Sequence, residues 1–154
     1  AKAFGMNILA YNRSQSPEGR EIATYVDLDT LLARSDVVSL HCPLFPETQG
    51  IINARTLSKM RRGALLVNTA RGALIDEQAL AQALTSGKLR GAALDVTCQE
   101  PIDPHNPLLS CENCIITPHM AWAPLESRQR LLNTIVDSIR GFLNGTPKNV
   151  VNGV

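Results

Sequence analysis

The sequence predicts an α/β fold built on a parallel β-sheet with helices on both faces. Two patterns and a size argument lead there. Short apolar runs alternate along the chain with segments of helical period. The runs are continuously apolar, as expected of strands covered on both sides. The 154 residues, 44% hydrophobic and 19% charged, suit one globular domain with a substantial core.

The elements follow in order. "NILAY" at 7–11 reads as a strand. "DLDTLLARS" at 27–35 reads as a short helix capped by Asp27 or Asp29. "DVVSLH" at 36–41 is a second strand, "NARTLSKM" at 53–60 a short helix and "GALLVNT" at 63–69 a strand. In "DEQALAQALTSGK", Asp76 caps a helix that Gly87 ends, and Ala79, Leu80, Ala83 and Leu84 share one face. "GAALDV" at 91–96 and "NCIITP" at 113–118 are further strands. Leu125, Leu132, Ile135, Val136, Ile139, Phe142 and Leu143 form one stripe of a long helix that Gly145 and Pro147 stop.

Composition excludes several functions. The net charge is +1 with no basic run, so nucleic acid has no electrostatic footprint. No apolar run approaches the ~20 residues of a membrane span. Of the four cysteines, Cys111 and Cys114 have zinc-ligand spacing, but no second such pair accompanies them. The expectation is free thiols in a reducing cytoplasm and no metal.

Ligands of such sheets bind at the carboxyl ends of the strands. There the sequence places Asn12, Arg13 and Ser14; His41, Cys42 and Pro43; Asn68, Thr69, Ala70 and Arg71; Asp95 and Glu100; and Pro118 and His119. Taken singly, an arginine in a turn, a glutamate before proline and a histidine after a strand are ordinary structural residues. Together, Arg71, Glu100 and His119 make a chemical set. A guanidinium clamps a carboxylate through two hydrogen bonds. An imidazole exchanges a proton with an alcohol or carbonyl near neutral pH. A glutamate beside it favours imidazolium and fixes the tautomer. The set suits a 2-oxo or 2-hydroxy acid, with the hydride supplied by a cofactor.

Over essentially its whole length the chain resembles the D-isomer-specific 2-hydroxyacid dehydrogenases, in their nucleotide-binding domain. The text that carries the resemblance is "SDVVSLHCPLFPETQGIINARTLSKMRRGALLVNTARGALIDEQALAQAL", then "GAALDVTCQEP", "NPLL" and "CIITPHMAWA". The resemblance implies a Rossmann-type doubly wound parallel sheet. It implies that Arg71 binds the acid and carbonyl, that His119 is the acid/base and that Glu100 is its partner. Cofactor contacts carried over by motif fall on Pro43, Thr69, Ala70, Asp95, His119, Met120 and Ala121, with Asp95 holding the nicotinamide carboxamide. "HMAWAP" is most like glycerate dehydrogenases and hydroxypyruvate or glyoxylate reductases, in which Trp122 lies near the substrate pocket. Plain packing at a helix start is the alternative for Trp122. A homodimer is implied for the full-length protein. Corepressors of the same family leave a second reading, a dinucleotide-sensing module that recruits proteins.

The family's GxGxxG fingerprint is absent. The sequence is therefore expected to be truncated at its N-terminus. Residues 1–146 would form a partial dinucleotide-binding domain without its first strand, and 147–154 the return toward a missing substrate domain. Ala1 would then lie inside the first crossover helix, and the isolated piece would neither bind dinucleotide tightly nor catalyse. Where NAD-specific sites carry a carboxylate, this chain has Asn12-Arg13-Ser14. Arg13 can meet a 2′-phosphate and Ser14 can donate to it, while Asn12 can still bond a ribose. The expected cofactor is NAD(P), with NADPH favoured.

Overall fold

Asp27, Asn53 and Asp76 each precede a short apolar-faced segment, and in the computed structural model each caps a helix. The structure describes residues 1–152. The last two residues of the expected return segment, 153 and 154, lie outside the described residues. The Asp27 side chain accepts from Thr30 N at the start of α2 (Leu28–Arg34). The Thr30 hydroxyl and backbone N–H together hold the Asp27 carboxyl below its ordinary pKa. Asn53 and Thr56 form a reciprocal capping box on α3 (Ala54–Lys59). Asp76 accepts from Ala79 N at the start of α4 (Glu77–Thr85). Each cap satisfies amides that the first turn leaves unpaired, worth about 1 kcal/mol.

All strands pair in parallel. A two-stranded sheet joins β1 (Leu9–Ala10) to β2 (Thr24–Tyr25). A four-stranded sheet runs in the order β3 (Val37–Leu40), β4 (Ala64–Asn68), β5 (Leu89–Leu94) and β6 (Cys114–Ile116). Two elements escaped the sequence reading: β2 and the six-residue α1 (Pro17–Ile22), which Ser16 caps by accepting from Gly19 N. A 3-10 turn over Lys2–Phe4, ended by Gly5 in the left-handed region, stands where the resemblance implied a crossover helix.

Two expectations need correction. The single sheet is divided, because among the described residues no strand bonds the outer edges of both β1 and β3. The strands are also not covered equally on both faces within Ala1–Pro118. In β3, Val38 and Leu40 are buried while Val37 and Ser39 are exposed, and β6 leaves Ile115 exposed. The pleat sends alternate side chains to opposite faces, and one face packs more deeply than the other.

The buried face meets α2, α3 and α4, which contact one another and, through α4, the sheet. Leu32, Ile52, Leu57, Met60, Leu66, Leu74, Leu80 and Leu89 are nearly inaccessible and form its centre. Every member of the predicted α4 face (Ala79, Leu80, Ala83, Leu84) is buried. The helix ends as expected, with Gly87 in the left-handed region (φ 67°).

Contacts divide the chain between Pro118 and His119. The second unit contains α5 (Leu125–Leu143), and Gly145 (φ 71°) follows its end. Its apolar stripe is where the sequence places it, yet Leu125, Leu132, Ile135, Val136, Ile139, Phe142 and Leu143 are all exposed.

Candidate active site at the strand ends

The register of the larger sheet aligns its carboxyl ends. Leu40 is level with Asn68, Asn68 with Leu94, and Leu94 with Ile116. His41, Thr69, Asp95 and Thr117 therefore leave the sheet side by side along one edge. β1 belongs to the other sheet, so Asn12, Arg13 and Ser14 are not placed by this register; all three are exposed, and Arg13 N donates to the Asn12 side chain.

Asn68 organises the centre of the row. It is fully buried, and its side chain replaces the missing ladder partners of the turn. Its Oδ1 accepts from Ala70 N at 3.0 Å, and its Nδ2 donates to Arg71 O at 2.9 Å. A buried amide has two donors and two acceptor sites to satisfy, so this pairing locks the backbone from 69 to 71. The sequence signal was a polar residue closing an apolar run, and the role of Asn68 was missed. Arg71 then turns outward, exposed, with Nη1 donating to Ala70 O at 2.6 Å. Arg71 and half-buried Ala70 line one open pocket with His41, Cys42, Pro43 and Leu44. Within it, Ser39 Oγ and His41 Nε2 lie 2.8 Å apart, and Pro43 O accepts from Thr48 Oγ1. His41 and Cys42 face this pocket without having been chosen as site residues.

Asp95 is buried at the end of β5. Its backbone N–H donates to Asn68 O at 2.9 Å, and its carboxylate accepts from the Thr117 hydroxyl at the end of β6. Asp95 thus links three neighbouring strand ends. The loop after it carries Glu100, exposed, whose Oε1 accepts from Thr97 N at 3.1 Å. Gly72 shows how closely this loop approaches the Arg71 turn. A Cβ there would lie 2.0 Å from Thr97 C and 2.5 Å from Cys98 N, distances no side chain tolerates.

In the second unit, His119 has φ 51°, a left-handed conformation that is uncommon for a residue with a Cβ. His119, Met120, Ala121 and Trp122 are exposed, and Ala123 N donates to Met120 O. Trp122 precedes α5 and is not packed into its start, where Pro124 is the capping residue.

All four cysteines are free, and no metal-binding cluster exists among the described residues. Burial, followed by the nearby Cys111, pushes the Cys114 thiol up to about 11. Among the described residues no helix is long and apolar enough to cross a membrane.

Residues 1–121 match the family described as "D-isomer specific 2-hydroxyacid dehydrogenase, NAD binding domain". The chain belongs to that family. It is 53% identical over 153 residues to a hydroxypyruvate reductase of Blautia hydrogenotrophica, covering 99% of this chain and 48% of the relative. It is 46% identical to a glycerate dehydrogenase of Methylorubrum extorquens, covering 98% and 47%. The NAD-complexed D-isomer specific 2-hydroxyacid dehydrogenase of Lactobacillus delbrueckii ssp. bulgaricus superposes with a TM-score of 0.89 at 33% identity, covering 98% and 50%. The chain spans about half the length of the curated relatives it matches. As a member of this family it is an NAD-binding α/β domain of Rossmann type, with parallel sheets flanked by helices.

The strand ends fit the nicotinamide end of such a cofactor. Thr69 and Ala70 carry small side chains at the end of β4, and the buried Asp95 carboxylate after β5 accepts from the Thr117 hydroxyl. A carboxamide N–H₂ is the complementary donor.

Proposed function

We propose that this chain is the greater part of the nucleotide-binding domain of an NAD(P)-dependent D-2-hydroxyacid dehydrogenase. The reaction is the interconversion of a 2-oxo acid of the hydroxypyruvate or glyoxylate type and a D-2-hydroxy acid of the D-glycerate type. The observation that carries this reading is the aligned row of strand ends, in which Asn68 holds the backbone of the Arg71 turn and accepts, through its own carbonyl, from the N–H of the buried Asp95. Relatives named for hydroxypyruvate and glycerate chemistry support the choice of acid. They do not favour the alternative of a recruitment module.

When bound, the nicotinamide supplies the hydride. Arg71 holds the substrate carboxylate and polarises the 2-oxo group. His119 would give a proton to the oxygen as imidazolium in reduction and take it back as neutral imidazole in oxidation. Glu100 favours the imidazolium by its charge. Pro43, Thr69, Ala70 and Asp95 in the first unit, and Met120 and Ala121 in the second, are the residues that would hold the cofactor, and Trp122 would serve the substrate. The chain spans about half the length of its relatives, so the activity belongs to the full-length protein. That protein is a homodimer kept in a reducing cytoplasm.

The deciding experiment is NAD(P)H oxidation by the full-length protein with hydroxypyruvate, glyoxylate and larger 2-oxo acids. Rapid turnover on the first two is expected, and none on any 2-oxo acid would refute the reading. The same assay tests the cofactor. Arg13 and Ser14 at the end of β1 suit a 2′-phosphate, so kcat/KM with NADPH should exceed that with NADH. A strong NADH preference would overturn that assignment.

Glu100→Gln removes a negative charge without changing shape. If Glu100 serves the proton-transfer step, its loss should lower kcat for reduction while KM for the 2-oxo acid changes little. An unchanged kcat would count against the pairing.

A further inference from the structure

We propose that Glu77, the first residue of α4, is a positioning residue that holds the loop after β5, and with it the Glu100 carboxylate, against the Arg71 turn. The inference rests on the reading of Glu100 given above.

The Glu77 carboxylate reaches two distant points of one loop. Oε1 accepts from Cys98 N at 2.7 Å, and Oε2 accepts from Asn106 Nδ2 at 2.8 Å. Gln99 to His105 lie between these anchors, and Glu100 is among them. Asn106 is itself committed. Its Oδ1 accepts from Leu108 N at 3.0 Å, which turns its amide N–H₂ toward Glu77. Inside the loop, Thr97 Oγ1 donates to Gln99 O at 2.7 Å and Thr97 N to Glu100 Oε1 at 3.1 Å. Glu77 therefore grips the residue next to the one that orients Glu100.

The position calls for a carboxylate in particular. Both partners are donors, and only an ionised carboxylate presents two acceptors and no donor; an amide would turn its N–H₂ onto one of them. Gly72 makes the close approach of loop and turn sterically possible, and Glu77 closes it electrostatically. The Cys98 thiol reports on the arrangement. Burial first, then the Glu77 charge and a hydrogen bond with Glu77, push it up to about 11. The simpler account is that Glu77 is a first-turn carboxylate favoured by the helix dipole, which predicts no link to Glu100.

The Arg71 turn has its own support in Asn68, so substrate anchoring and proton transfer should separate. In the full-length enzyme, Glu77→Ala is expected to lower kcat about tenfold, the scale of one lost hydrogen bond to a charged group. KM for the 2-oxo acid should stay within about twofold, because uniform binding is untouched. Hydrogen exchange at the Cys98 amide should accelerate, as should alkylation of its thiol. The decisive measurement is the double mutant: Glu77→Ala should cost little further once Glu100 is glutamine. If it costs as much there as in the wild type, Glu77 does not act through Glu100 and the inference falls. If Glu100→Gln alone leaves kcat unchanged, the reading of Glu100 fails first and takes the inference with it. Glu77→Gln, which keeps one of the two bonds, replaces the alanine variant if that does not fold, and a smaller effect in the same direction is expected. Unchanged kcat in a folded Glu77→Gln with faster Cys98 exchange would also overturn the proposal.

Discussion

His119→Ala in the full-length enzyme is expected to remove nearly all turnover while leaving dinucleotide binding largely intact. A positioned general acid/base contributes about 10²–10⁴-fold, and no neighbouring residue in the "TPHMAWA" text can exchange a proton near neutral pH. With φ 51°, His119 occupies a region that costs an L-residue about 1–2 kcal/mol. Asn149 is the other non-glycine residue in this region among the described residues, and asparagine and histidine both enter it more readily than most side chains. The measurement is single-turnover reduction in the alanine variant, with cofactor fluorescence titrated in parallel. Substantial turnover would refute the role. Loss of both turnover and cofactor binding would show that the residue builds the site and does not act in it.

Arg71→Ala should raise KM for the 2-oxo acid and lower kcat together. In the proposed role the guanidinium would serve both ground-state anchoring of the carboxylate and polarisation of the carbonyl in the transition state, and these two effects fall on different kinetic constants. A charge-assisted contact of this kind is worth about 3 kcal/mol, or about a hundredfold in kcat/KM. Its turn is held by the backbone bonds of Asn68 and not by the Arg71 side chain, whose Nη1 bond to Ala70 O is local. The substitution should therefore leave stability nearly unchanged, which makes the kinetic loss interpretable. Arg71→Lys should recover only part of it, because an ammonium offers a point charge where the acid needs a fork. Kinetics unchanged in Arg71→Ala would sink the assignment.

The apolar stripe of α5 illustrates a limit of pattern reading. Its residues were correctly assigned to one helical face, yet that face is exposed. A period of 3.6 shows that a face is meant to be covered, and contains nothing about what covers it. The prediction that the strands would be covered on both sides failed in β3 and β6 for the same reason. Continuous apolar text specifies a need for burial without naming the partner.

By itself the sequence determined the helices capped by Asp27, Asn53 and Asp76, the four strands of the larger sheet and the chemical identities of Arg71, Glu100 and His119. These are legible because caps, periods and motif residues act over three or four positions along the chain. Tertiary structure alone decided which strand ends are level, that Asn68 locks the Arg71 turn, that Gly72 lies on Thr97 and that Glu77 bonds Cys98 and Asn106. It also decided that the first two strands pair apart from the other four. Glu77 reads locally as an ordinary first-turn carboxylate, since its partners stand 21 and 29 residues away. Hydrogen bonds between such distant residues form only when packing brings two segments within about 3 Å, and no local pattern in either segment encodes that meeting.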